Sequence, residues 1–307
     1  MQGGMVRGSR MIVRSIQLLL VLFIIILSSL FCFAESTTHV EVDVYKPTVT
    51  RWNKAMSNAQ YTAVTYIWNT GTKDLKHKNL SRDSILMIPS SAIPDSITLI
   101  VWFHGCNGFS RKTFNNRIIS QMNDVVAGGN SVAIAIPEMP WSTNTNTKCG
   151  RQGTAFSRAS QLKEYIESLK LRLNRWSQHN NGVPMGTVRL VFVGHSAGGS
   201  ALKAAAVEGS LCHLNPEAVV FSDASYGHWL DKTWKSCVKD AGTNLHILVR
   251  KWDKPHKNAD RVIRGINRLR LTPSTDVYYQ VLNRKKWTHG KIGDSVFTLT
   301  ELFPPGC

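Results

Sequence analysis

The chain has 307 residues, of which 43% are hydrophobic and nine are Trp, and its formal net charge at pH 7 is +17. Apolar residues in this proportion can fill one large core, so the composition excludes a chain that is disordered throughout. A single folded domain of this length is ordinary. The positive charges are scattered, with small clusters at residues 73–78, 250–257 and 284–286, and no nucleic-acid motif accompanies them.

The N-terminal segment has the pattern of an export signal. Three arginines and no acidic residue precede a mostly apolar run over residues 16–33, which is followed by Ala34. This pattern is typical of a secretory signal cleaved after Ala34, and an uncleaved membrane anchor is the alternative. The sequence predicts three parts of the chain. They are a signal or anchor (1–34), an N-terminal extension packing on the core (35–83) and a main domain (84–307). We expect an exported protein, periplasmic or secreted, or held at the membrane.

The strong positive charge of an exported protein has two interpretations. It is either a solvated surface that keeps the protein soluble, or a surface attracted to anionic envelope polymers or lipid head groups. Without a nucleic-acid motif, the sequence predicts no specific nucleic-acid partner.

Export also affects the interpretation of the cysteines, because disulfides persist in oxidising compartments. Five cysteines follow the signal segment, at positions 106, 149, 212, 237 and 307, and this odd number favours two disulfides and one free thiol. We expect Cys106 to pair with Cys149 and Cys212 with Cys237, since each pair would join neighbouring loops, although other pairings are compatible with the sequence. No metal-ligand spacing competes with this interpretation.

Apolar and amphipathic stretches alternate along the main domain. Strands are predicted over residues 84–89, 97–103, 131–137, 188–193, 218–221, 245–249 and 277–282, and helices over 113–126, 155–176 and 200–207, with another beginning near 258. Strands that alternate with helices favour an α/β fold with a mainly parallel central sheet and helices on both faces.

One predicted strand ends in a motif that carries chemistry. The run 188–193 breaks at Gly194, and Ser196 follows inside the sequence Gly-His-Ser-Ala-Gly, directly before the helix 200–207. A serine on a sharp strand-to-helix turn has a strained backbone, and glycines on either side remove side chains that would collide there. The helix directs its free N–H groups and the positive end of its dipole at developing negative charge. The motif therefore predicts a nucleophile elbow.

A second loop complements this turn. The sequence His-Gly-Cys-Asn-Gly, residues 104–108, directly follows the predicted strand 97–103. In acyl-transfer enzymes with such an elbow, one oxyanion-hole N–H comes from the residue after the nucleophile and another from the loop after an earlier strand. The expected donors are the N–H of Ala197 and that of Cys106 or Asn107, and a plain glycine-rich turn is the alternative.

The order of these features resembles the α/β-hydrolase superfamily, whose triad runs Ser, then Asp or Glu, then His along the chain. The likeness covers residues 84–289, and the His-Gly-Cys loop and the Gly-His-Ser-Ala-Gly-Gly run are also similar to secreted polyester depolymerases and feruloyl-type esterases. It implies an α/β-hydrolase fold in which Ser196 attacks an acyl carbonyl and His289 moves the proton. It implies no cofactor and no particular oligomeric state. His195 is expected to point away from the reacting centre.

Two aspartates are candidates for the acid of the triad. Asp253 follows the next-to-last predicted strand, where the superfamily usually carries its acid, and a helical stretch begins soon after it. Asp223 follows the strand before, between the small residues Ser222 and Ala224, which suit a buried turn. The topology favours Asp253, with Asp223 as the alternative.

These residues together predict an exported serine hydrolase that cleaves a carboxylic ester, of a small molecule or a polymer, through a Ser-His-Asp triad and an acyl-enzyme. A serine peptidase or amidase of the same fold is one alternative. The other is a non-catalytic basic protein that binds the envelope, although an intact serine, histidine and oxyanion loop count against it.

Overall fold

The computed structural model describes residues 61–67, 83–89, 95–106, 116–137, 139, 156, 160–268, 276–299 and 301–303. The chain divides into two compact units, residues 1–43 and 44–307, and all of the described residues belong to the second. The predicted export segment lies outside the described residues. Within the described part, none of the helices combines the length and the apolar character that a membrane span requires.

The described residues form an eight-stranded sheet. Its strands are β1 (Tyr61–Ile67), β2 (Asp83–Pro89), β3 (Ser96–Phe103), β4 (Val132–Pro137), β5 (Thr187–His195), β6 (Ala218–Ser222), β7 (Asn244–Arg250) and β8 (Val277–Leu282). They lie in the order β1-β2-β4-β3-β5-β6-β7-β8, and β2 runs against both of its neighbours while the other pairs are parallel. Strands such as β4, in which every residue is buried, are nearly all apolar because both faces of the sheet are covered.

The helices of the described part cover both faces of this sheet. They are α1 (Asn116–Ala127), α2 (Gln161–Asn181), α3 (Gly199–Glu208), α4 (Ser210–His213), α5 (Trp229–Ser236), α6 (Lys254–Arg268) and α7 (His289–Asp294). Side chains of α2, α3, α5 and α6 enter the larger apolar core, and those of α1 and α7 enter a second core. The predicted architecture is confirmed, and the strand order with its helical crossovers is that of the α/β-hydrolase fold.

The strand β1 and the helix α2 differ from the sequence prediction. Residues 61–67, inside the predicted N-terminal extension, form β1 and pair along their whole length with β2, so the sheet begins before residue 84. Helix α2 runs over Gln161–Asn181 rather than over residues 155–176, and it ends where Gly182 adopts a φ of 70°. Glycine adopts this left-handed conformation without strain and is common directly after a helix. Gly182 therefore marks the end of α2, which the apolar pattern alone does not show.

The carboxyl ends of the parallel strands meet at one edge of the sheet. β5 pairs with β6 so that His195 lies opposite Ser222, and β6 pairs with β7 so that Ser222 lies opposite Leu248. Ser196 and Asp223 follow directly after β5 and β6. They are therefore neighbours at adjacent strand ends, since paired strands lie about 4.8 Å apart.

Cys212 and Cys237 form a disulfide, as the sequence predicted, with their Cα atoms 5.4 Å apart. It joins α4 to the end of α5. Cys106 is also disulfide-bonded. Its predicted partner, Cys149, lies outside the described residues, so that pairing stays a prediction.

The turn after β5 leaves no room for side chains at its glycines. A Cβ on Gly198 would lie 2.0 Å from the carbonyl oxygen of Phe103, at the end of β3. A Cβ on Gly194 would lie 2.7 Å from a methyl carbon of Leu202 in α3. Non-bonded carbon atoms prefer separations of about 3.5–4.0 Å, so strand, turn and helix approach this closely only because both positions lack a side chain.

Gly198→Ala should lower the free energy of unfolding by about 1–3 kcal/mol or more, because the turn or the end of β3 must move. Gly265→Ala is the matched control, since an added methyl group in α6 meets nothing within 4 Å. It should raise the free energy of unfolding by about 0.5–1 kcal/mol, because alanine favours a helix. Urea unfolding followed by circular dichroism measures both, and equal effects would contradict the close packing.

His246, in β7, has a fully buried side chain. In the described part of the chain neither of its ring nitrogens has a partner, and its ring stacks on Tyr278 with the centroids 4.5 Å apart. Burial lowers the pKa of His246 to about 4, and the carboxylate of Glu301 opposes the shift only in part. The folded protein therefore holds this imidazole uncharged.

Unfolding exposes His246 and returns its pKa to the ordinary 6.5. The unfolded chain then binds a proton that the folded protein does not bind. The free energy of unfolding should therefore be highest above pH 6.5 and fall as the pH drops towards 4. The loss from this residue should reach about 3 kcal/mol. His246→Phe keeps the stacked ring and should flatten this part of the pH dependence. Urea unfolding between about pH 7.5 and pH 4.5 measures it, and parallel curves for the two proteins would refute this assignment.

Candidate active site

Ser196 occupies the turn between β5 and α3. It is buried, has a φ of 53°, and begins a short 3-10 turn, Ser196–Gly198, that continues directly into α3. A positive φ is strained for serine, and strain of this kind is typical of functional turns. Ala197, a predicted oxyanion donor, is the next residue and is buried. The free N–H groups and the dipole of α3 favour negative charge beside this turn.

The loop after β3 lies against the nucleophile. A Cβ on Gly105 would lie 3.0 Å from the Cβ of Ser196 and 3.5 Å from its Oγ, so a larger residue would crowd the hydroxyl. Cys106 follows and is exposed. Asn107, the other predicted donor of this loop, lies outside the described residues. The structure thus brings the backbone of residues 105–106 next to Ser196.

His104 holds this loop from its buried side. Its Nδ1 lies 2.9 Å from the carbonyl oxygen of Gly105, and its Nε2 lies 2.9 Å from the backbone nitrogen of Met139. Because the N–H of Met139 can only donate, Nε2 accepts, and the proton on Nδ1 is donated to Gly105. The carbonyl of Gly105 is thereby fixed, and the N–H of Cys106, on the opposite side of the same planar peptide, is directed away from His104.

Asp223 follows β6, and its carboxylate contacts His289. Oδ2 of Asp223 lies 2.5 Å from Nδ1 of His289, and Oδ1 accepts a hydrogen bond of 3.3 Å from the backbone N–H of Arg250. Asp223 is fully buried, whereas 38% of the His289 side chain is exposed. Since a carboxylate accepts, the shared proton belongs to Nδ1 of His289, and its Nε2 is the nitrogen that can accept another.

Asp253, which the sequence favoured as the acid, is engaged elsewhere. Its carboxylate forms an ion pair with the guanidinium of Arg250, three residues earlier. The structure places the alternative, Asp223, against His289, and the preference for Asp253 is corrected accordingly. The physical reason is the strand order, because β6 lies directly beside β5 whereas β7 lies one strand further away.

His195 contacts the site instead of pointing away from it, which corrects the sequence expectation. Its ring centroid lies 5.0 Å from that of His289, and its Nε2 donates a hydrogen bond of 3.0 Å to the backbone oxygen of His289. Burial, and next the proximity of His289, lowers the pKa of His195 to about 4. His195 is therefore uncharged at neutral pH and holds the backbone of His289.

Tyr226 is a site residue that the sequence analysis did not identify. Its side chain lies near that of Ser196, and its ring meets that of Trp229 edge-on, with the centroids 5.7 Å apart. Burial raises the pKa of Tyr226 to about 12, and the charges of Asp223 and Asp253 add to the shift. The phenol therefore stays protonated and can donate to an oxygen. The feature of the sequence that could have identified Tyr226 is its position three residues after Asp223, in the same loop.

The assembled groups have the chemistry of acyl transfer. A buried carboxylate contacts a histidine, a serine lies on a strained turn, and the loop after β3 approaches that serine at Gly105. No cluster of three or more His, Cys, Asp or Glu side chains that could hold a metal ion occurs among the described residues.

Comparison with known proteins gives similar structures at low identity. No protein-family model and no curated protein matches the chain. The enterobactin and salmochelin hydrolase IroE aligns with a TM-score of 0.48 and 12% identity, covering 82% of this chain and 96% of its own. A ferulic acid esterase aligns at 0.48 and 14%, covering 80% and 98%. An IroE-like serine hydrolase from Shewanella oneidensis aligns at 0.48 and 14%, covering 80% of both chains. The chemistry of the site has to follow from its own residues.

Asp223→Asn should slow the reaction of Ser196 with a fluorophosphonate by at least about 100-fold, because an amide cannot hold His289 in the required tautomer. Asp253→Asn is the matched control and should stay within about tenfold of the wild type, since it breaks only the ion pair with Arg250. Mass spectrometry of the labelled protein measures both rates. A larger effect of Asp253→Asn than of Asp223→Asn would indicate that Asp253 is the acid.

Proposed function

We propose that this protein is an exported serine hydrolase that cleaves carboxylic esters through Ser196, His289 and Asp223. The observation that carries the proposal is the 2.5 Å contact between His289 and the fully buried Asp223, at the strand end beside the one that bears Ser196. A buried carboxylate requires a partner. Here the partner is a histidine that is more than a third exposed, so a substrate can reach it.

The acylation step uses the orientation of His289. Asp223 holds the proton on Nδ1, so Nε2 accepts the proton of Ser196 as Oγ attacks the acyl carbonyl, and Asp223 stabilises the imidazolium that forms. The N–H groups of Ala197 and Cys106 donate to the oxyanion, and the dipole of α3 favours its charge. His289 then passes the proton to the departing alkoxide, which leaves an acyl group on Ser196.

The deacylation step repeats the same transfers with water. Nε2 of His289 removes a proton from a water molecule as its oxygen attacks the acyl-enzyme, and the same oxyanion donors act again. The proton then returns to Oγ of Ser196 as the acid product is released. Apart from the ester and the water molecule, the two steps of this proposal use only groups of the protein.

Export is the second component of the proposal. The basic and apolar pattern of residues 1–34 supports it, and so does the disulfide between Cys212 and Cys237, because such bonds persist in oxidising compartments. The positive charge would hold an exported protein near anionic envelope polymers or lipid head groups.

The test is hydrolysis of short-chain p-nitrophenyl esters by the purified protein lacking residues 1–34. Ser196→Ala should lower kcat at least about 1000-fold, because no other group replaces the nucleophile. Ser168→Ala, on the surface of α2, is the matched control and should retain full activity. Corresponding p-nitroanilides should react more slowly than the esters, since an amine is the poorer leaving group.

Two results would favour the other functions. Faster turnover of the anilides than of the esters would indicate a peptidase or amidase. A folded protein that hydrolyses no ester and whose Ser196 resists fluorophosphonates would indicate a non-catalytic binding protein.

A further inference from the structure

A cleft at the carboxyl ends of β7 and β8 has no role in the proposed reaction. It has a volume of about 680 Å³. Among the described residues its lining consists of Lys251, Trp252, Val281, Asn283, Arg284 and Lys285. The described part of the lining thus combines one aromatic ring, one small apolar side chain, one amide and three cations, with no acidic side chain.

Trp252 lies in the cleft with an exposed side chain and a strained backbone. Its side chain is 67% exposed, and its φ is 74°, in the left-handed region that bulky residues avoid. Its backbone N–H donates a hydrogen bond of 3.2 Å to Nδ1 of His256 in α6, which fixes the loop in this conformation. Backbone strain of this kind is typical of ligand clamps and other functional sites, so Trp252 is a candidate ligand contact.

Among the described residues, the cations of the cleft are not neutralised by acidic side chains. Nζ of Lys251 lies 5.2 Å from the ring centroid of Trp252. In the described part of the chain, Lys251, Arg284 and Lys285 form no ion pair with a carboxylate. Arg250, one residue before the cleft, is paired with Asp253. The charges that line the cleft therefore remain available to a ligand.

We propose that this cleft is a second ligand site and that it binds an aromatic anion, meaning an aromatic ring that carries a carboxylate or a phosphate. The ring would stack on Trp252, and the anionic group would accept charge-assisted hydrogen bonds from Lys251, Arg284 and Lys285. Lys251 follows β7, two strands from β5, so the site lies roughly 10 Å from the strand that bears Ser196.

The test is calorimetric titration of the purified protein with three probes. The first is 2-naphthoate, which has both the ring and the charge. The second is 2-naphthamide, which has the ring alone, and the third is cyclohexanecarboxylate, which has the charge without an aromatic ring. Naphthoate should bind at least about tenfold more tightly than either other probe. Equal affinities for all three would overturn the proposal.

A charge-matched pair of variants separates the cleft from the general basicity of the protein. The triple variant Lys251→Gln, Arg284→Gln and Lys285→Gln should lose at least about tenfold in naphthoate affinity. The control, Lys163→Gln, Lys232→Gln and Arg268→Gln, removes the same charge from exposed positions on α2, α5 and α6. It should retain the affinity, and an equal loss in both variants would overturn the proposal.

Trp252→Asn tests the strained residue. Asparagine tolerates a positive φ, so the thermal unfolding temperature should stay the same or rise, while naphthoate affinity falls at least about tenfold. Unchanged affinity would show that the ring does not form a site. Because these titrations do not require turnover, they can succeed or fail independently of the ester hydrolysis.

The ligand has two possible sources, which the kinetics of ester hydrolysis distinguish. If the anion belongs to the ester substrate, naphthoate should inhibit the hydrolysis of p-nitrophenyl butyrate competitively, by raising KM. If it is a separate molecule, KM should stay unchanged at saturating naphthoate. Once the titrations have shown binding, these two results identify which molecule occupies the site.

Discussion

The arrangement of this protein depends on the close approach of two strand ends, those of β3 and β5. Parallel pairing of these strands along the whole of Ser96–Phe103 brings the turn after β5 against the end of β3. At that point Gly198 leaves no space for a methyl group beside the carbonyl of Phe103, and Gly105 approaches Ser196. Backbone packing thus brings together the proposed nucleophile and the loop proposed to supply oxyanion donors.

The two aspartates at this edge of the sheet illustrate how burial and pairing separate their roles. Arg250 contacts both, because its backbone N–H donates to Asp223 while its guanidinium pairs with Asp253. The side chain of Asp223 is almost completely buried and contacts His289, whereas that of Asp253 is 17% exposed. The guanidinium of Arg250 therefore pairs with the less buried of the two carboxylates.

Buried histidines next to the site act through the backbone. His104 fixes the carbonyl of Gly105, and His195 donates to the backbone oxygen of His289. An uncharged imidazole offers one donor and one acceptor, so it can satisfy buried backbone groups without the cost of a buried charge. The lowered pKa of His195, caused first by its burial, keeps it in this form at neutral pH.

The sequence by itself determined the alternating strands and helices, the turn that bears Ser196 and the loop beside it, because periodicity and turn glycines act between residues close along the chain. Local patterns did not separate Asp223 from Asp253, since both follow strands, and they did not identify Tyr226 or the strand at residues 61–67. Only the tertiary structure decided these points. The physical reason is that pairing between distant segments sets which strand ends lie side by side.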